Sequence, residues 1–124
     1  SQARPPEAPA RDCQGALDAW AAQERIAFPK GSATISRAVA LSLDKAAATL
    51  KRCRQNAAIE VLGYVYGVVG KAENAALAQR RAAAAALYLK RAGVSGVSLL
   101  ATGRVLAPPA EKGAGKGAIE FKLR

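Results

Sequence analysis

The chain has no histidine and only two cysteines, and each scarcity excludes a kind of chemistry. Without histidine the commonest general base is missing, as is the usual partner of a nucleophilic Ser or Cys. Two thiols cannot close a tetrahedral zinc site when no imidazole is present to complete it. No pair of acids stands out to replace them, so the expectation is a non-catalytic protein with no metal and no cofactor. Aromatic residues make up 5% of the 124, and alanine supplies much of the 51% hydrophobic fraction. Alanine buries little area, which points to a modest single core helped by a covalent staple. No apolar run reaches the length of a membrane-spanning helix. The opening "SQARPPEAPA" also lacks the apolar stretch of a signal peptide and reads as a Pro- and Ala-rich linker over residues 1–11. Residues 12–124 then form one domain, and membrane attachment is expected only through segments outside this chain. Internal repeats, heptads, a phosphate-binding glycine loop and an aromatic-basic RNA signature are all missing.

Positive charge is what the chain has in excess. Nineteen Lys and Arg stand against nine Asp and Glu, a formal charge of +10. That favours anionic partners: nucleic acid, acidic lipid head groups or the carboxylates of a cell-wall polymer. Charge alone does not choose among them.

The hydrophobic pattern alternates between helix and strand. Asp12 is suited to cap a short helix with Cys13, Leu17 and Trp20 along one face. "RIAF" follows as a short strand closed by Pro29 and Gly31. From Ser36 a helical stripe of Val39, Leu43, Ala46, Leu50 and Cys53 sets in, and Lys51, Arg52 and Arg54 crowd its last turn, where cations complement the helix dipole. In "AAIEVLGYVYG", Ile59, Val61 and Val65 point one way and Glu60, Leu62, Tyr64 and Tyr66 the other. Gly63 interrupts that strand where a bulge or a close approach is needed. Asn74 is placed to cap a second long helix, which Gly93 ends. Its expected inner face is Leu77, Ala84 and Leu87, with Tyr88 beside it. "VSLLATGRV" and "AIEFKL" complete the strands. The order predicts an α/β fold, an α+β sandwich with helices on one face of a small mixed sheet. Cys13 and Cys53 both fall on helical core faces, which suggests a disulfide and an oxidising compartment; the other reading is two buried thiols.

These elements carry a family likeness. "IAFPKGSATIS", "IEVLGYVYG", "NAALAQRRAAAAALYLKRAGV" and "LLATGRVLAPP", in that order, resemble the OmpA-like domain. That domain is the C-terminal part of outer membrane protein A and is shared with peptidoglycan-associated lipoprotein. The likeness runs from about Arg25 to the end of the chain. It implies a β-α-β-α-β-β domain, here with an additional N-terminal helix, working in the periplasm or cell envelope near the outer membrane. The paired cysteines resemble a disulfide-bearing variant of the family. The resemblance further implies non-catalytic binding of the peptidoglycan stem peptide, with an arginine on the second long helix pairing with a diaminopimelate carboxylate.

Residue by residue, Asn74, Leu77, Arg81 and Ala82 match that family pattern. Where the family reads Gly-x-Thr-Asp, with the aspartate holding the diaminopimelate ammonium, this chain has Gly63, Tyr64, Val65 and Tyr66. Where the family reads Asn-Arg-Arg-Val-Glu, it has "KGAIE". The ligand-binding set expected from the resemblance is therefore Arg81, Asn74, Tyr66 and Tyr64. With Tyr66 in place of the aspartate, a peptidoglycan partner would be held weakly. Three readings stay open at this point: such a peptidoglycan-docking domain, a structural or protein-interaction module that binds another envelope protein, and a basic binder of polyanions. No nucleic acid is expected as the partner. An ion pair of Arg81 with Glu73 or another loop acid is the alternative to a ligand role for that arginine.

Overall fold

The computed structural model describes residues 9–110 and 115–124. Its elements, in chain order, are α1 (Pro9–Glu24), α2 (Arg37–Leu50), β1 (Ala58–Tyr66), α3 (Ala72–Arg91), β2 (Ser98–Leu106) and β3 (Ile119–Leu123). The sheet has the order β2-β1-β3, with β1 parallel to β2 and antiparallel to β3. The three helices cover one of its faces, giving the expected α+β sandwich.

α1 begins at Pro9, inside the stretch expected to be linker, and a proline at the first helical position needs no N–H donor. Asp12 is thus within the helix and not its cap. Residues 1–8 of the expected linker lie outside the described residues, as do residues 111–114 of the loop before β3. α2 starts where expected. The Ser36 hydroxyl accepts from the Val39 amide at 3.2 Å, and Val39, Leu43, Ala46 and Leu50 are buried. This helix ends at Leu50, so Lys51, Arg52 and Arg54 follow its last turn and are not part of it.

The expected strand "RIAF" does not form. Arg25 has a left-handed φ of 39°, which kinks the run at its first residue, and Pro29 offers no N–H at its end. The run's backbone keeps one bond toward the sheet, from the Ala118 amide to the Ile26 carbonyl at 2.7 Å, while the Arg25 amide donates back to the Ala21 carbonyl of α1 at 3.1 Å. The sheet among the described residues consequently has three strands, not four.

Ile59, Val61, Ile119 and Phe121 point from the sheet into a core shared with Leu17, Leu43, Leu50 and Leu89. Trp20 packs on Phe121 with ring centroids 5.0 Å apart, and its indole N–H donates to the Ser42 carbonyl. Cys13 and Cys53 form a disulfide, both buried, joining α1 to the turn after α2.

α3 departs from its expected inner face. Its buried residues are Leu77, Ala78, Arg81, Ala82, Ala85, Ala86 and Leu89. Leu87, expected inside, is 48% exposed, and Ala84 is half-buried. The helix rests on Gly63 of β1 and Gly103 of β2, where only the small side chains of alanine fit between helix and sheet. Alanine therefore sets the face, and the larger Leu87 turns outward.

Both margins of the sheet meet a glutamine. The Gln14 amide donates to the Phe121 carbonyl at 3.1 Å and accepts from the Leu123 amide at 2.6 Å. On the far side, the Gln79 amide donates to the Ala101 carbonyl at 3.0 Å and accepts from the Gly103 amide at 2.9 Å. Backbone groups of β2 and β3 that no neighbouring strand reaches are satisfied in this way.

Candidate functional site

Arg81 is the only buried charged residue among the described residues, at 8% exposure. It lies one helical turn after Leu77 on the inner face of α3, where the segment leading into α2 passes over the end of β1. Three carbonyls hold it. Nε donates to Ser32 at 2.8 Å, Nη1 to Tyr64 at 3.3 Å and Nη2 to Pro29 at 3.1 Å. The guanidinium also lies over the Phe28 ring, 5.0 Å from its centroid. Burial pushes its pKa below the ordinary arginine value, and the group stays cationic. Of its five N–H groups, one on each terminal nitrogen is left over, a number that matches the two oxygens of a carboxylate.

The alternative, an ion pair with Glu73, is not the reason for this burial. Glu73 is exposed and lies 3.9 Å from Lys71. All of Arg81's recorded partners are neutral, so the charge has no counter-ion within the described residues.

Arg81 lines a cleft of about 190 Å³ together with Phe28, Tyr64, Tyr66 and Lys116. Tyr66, 36% exposed, accepts a short hydrogen bond at its hydroxyl from the Lys116 amide. Tyr64 reaches Arg81 through its carbonyl, while its hydroxyl donates to Glu120 at 3.4 Å on the opposite face of the sheet. Burial first, and then the Glu120 carboxylate, push the Tyr64 phenol up to about 12. Lys116 lies 3.6 Å from Glu120 and 5.9 Å from the centroid of the Tyr64 ring.

Of the four expected ligand residues, Arg81, Tyr64 and Tyr66 meet at the cleft. Asn74 does not line it, and it is not the helix cap. α3 starts at Ala72 after Lys71, which makes no side-chain capping bond. From the third helical position, Asn74 donates to the Val68 carbonyl at 3.2 Å and braces the loop that follows Tyr66. Sequence reasoning missed Lys116, which sits in the glycine-rich "GKG" run with no hydrophobic period to place it. It also missed the Pro29 and Ser32 carbonyls, which carry no side-chain signal at all. No cluster of three His, Cys, Asp or Glu able to hold a metal occurs among the described residues, and no described helix is long and apolar enough to cross a membrane.

No curated protein matches the chain by sequence. Among solved structures it is similar to the C-terminal domain of Helicobacter pylori MotB, at 18% identity and a TM-score of 0.57, over 80% of this chain and 81% of that one. It is also similar to a periplasmic domain of MotB, at 17% identity and a TM-score of 0.58, over 81% of this chain but 59% of that longer one. At these identities the likeness carries the fold alone. A sequence model of the OmpA family matches residues 27–120, from the segment that supplies Phe28 to the strand that supplies Glu120. The chain belongs to the OmpA family.

Proposed function

We propose that this chain is a non-catalytic domain of the cell envelope that docks against peptidoglycan, taking a stem-peptide carboxylate on Arg81. The observation that carries this reading is a buried guanidinium facing a cleft, with three neutral partners and no acid among the described residues. A buried charge without a counter-ion is costly, and an incoming carboxylate supplies one. The disulfide supports an extracytoplasmic location, where such bonds persist. Tyr66 contributes a phenol and no charge at the position of the family's aspartate. Losing one charge-assisted hydrogen bond, worth about 1.5–3 kcal/mol, weakens docking by about one to two decades.

A second reading has its own support. The three carbonyl bonds of Arg81 also tie the Pro29–Ser32 turn to β1 and α3, which is a sufficient role in a purely structural or protein-interaction module of an envelope assembly. Co-sedimentation with purified sacculi separates the two. Docking predicts saturable binding by the wild type that Arg81→Ala abolishes and that Lys116→Gln weakens without altering the circular dichroism spectrum. A folded wild type that stays in the supernatant at every concentration favours the structural module.

A further inference from the structure

The cleft offers a great deal to an anion and almost nothing to a cation. Two of its lining residues, Arg81 and Lys116, are positive, and no described lining residue is an acid. The nearby carboxylate, Glu120, is engaged by the Lys116 ammonium and the Tyr64 hydroxyl. The carbonyls of Pro29, Ser32 and Tyr64 already receive the three bonds of Arg81. The Tyr66 hydroxyl oxygen receives the Lys116 amide. Of the aromatic rings, Phe28 carries the guanidinium of Arg81 and Tyr64 carries the ammonium of Lys116. The three carbonyls around Arg81 and two of the cleft's three aromatic rings are thus already engaged by the chain's own cations.

We propose that the cleft selects a carboxylate whose neighbouring amine has been converted to an amide, and discriminates against the zwitterion with a free ammonium. This rests on the docking reading above and narrows it to stem peptides whose amine is acylated, as it is in a cross-link. A volume of about 190 Å³ corresponds to roughly six waters, room for a carboxyl-bearing end group and the start of an amide. An ammonium brought into that space meets the charge of Arg81, whose partners among the described residues are all neutral, which disfavours it about tenfold or more.

The test uses two synthetic stem peptides ending in a diamino diacid, identical except that the amine beside the terminal carboxylate is free in one and acetylated in the other. Calorimetric titration of the whole chain is expected to show the acetylated peptide binding about tenfold tighter. Lys116→Gln is expected to narrow the ratio several-fold, and Tyr66→Asp to bring the free-amine peptide to parity or better. Equal affinity, or a preference for the free amine in the wild type, overturns the selectivity and leaves docking intact. Binding of neither peptide by folded protein overturns the docking reading and this inference with it.

Discussion

Gly63 of β1 lies so close beneath Ala78 of α3 that a methyl group built on it would stand 2.5 Å from the Ala78 carbonyl oxygen and 2.7 Å from the Ala82 amide nitrogen. Both obstacles are backbone, and neither can swing aside. This contact seats α3 on the sheet and, one turn along, sets Arg81 against the end of β1.

Gly63→Ala is therefore expected to cost at least about 2 kcal/mol through overpacking. Gly15→Ala is the control. Gly15 is exposed on α1 with nothing within 4 Å of a built Cβ, so the change is expected to stabilise by about 0.5–1 kcal/mol. Urea midpoints at constant slope measure both.

The disulfide closes a separation of 40 residues. In the chain-entropy account that contributes about 4 kcal/mol, so the Cys13→Ser, Cys53→Ser double variant is expected to lose that much. The reduced wild type should unfold at the same urea concentration as the double variant. A midpoint unchanged by reductant would contradict the expectation.

Arg81→Met keeps the length of the side chain and removes all three carbonyl bonds. A stability loss of about 3 kcal/mol is expected, because the Ser32, Tyr64 and Pro29 carbonyls lose their partner in a part-buried setting. Thermal unfolding measures it, and a loss under about 1 kcal/mol would mean that water replaces the guanidinium freely.

Tyr64 holds its proton to about pH 12 in the fold, against about 10 for an exposed phenol. A raised folded pKa contributes stability that is complete below pH 10 and disappears as pH rises through 12, because the unfolded chain releases that proton first. The contribution is about 2 kcal/mol, and Tyr64→Phe should remove its share of the alkaline decline. Phenolate absorbance of the folded protein should lose a transition at about pH 12 in the Tyr64→Phe variant.

Much of this fold is legible in the sequence wherever residues of contrasting polarity mark a period. β1 sets Ile59, Val61 and Val65 against Glu60, Leu62, Tyr64 and Tyr66, and Ile59, Val61 and Val65 do join the cores, although Leu62 and Tyr64 are buried as well. α2 carries Val39, Leu43, Ala46 and Leu50 at helical spacing, and all four are buried. The signal fails in α3, where five successive alanines give every face the same hydropathy, so Leu87 draws attention to the wrong side. It fails again at Arg25–Phe28, whose composition suits a strand while its neighbours leave it one backbone bond toward the sheet. Arg81 could be singled out from a motif. Its partners could not, because three backbone carbonyls look like nothing in a list of side chains.

Gln14 and Gln79 have a consequence for the company this domain keeps. A strand from another molecule that sought to lengthen the sheet would find an amide already seated at Ala101 and Gly103 of β2 or at Phe121 and Leu123 of β3, and would have to evict it first. Lengthening of the sheet is therefore opposed at both of its borders.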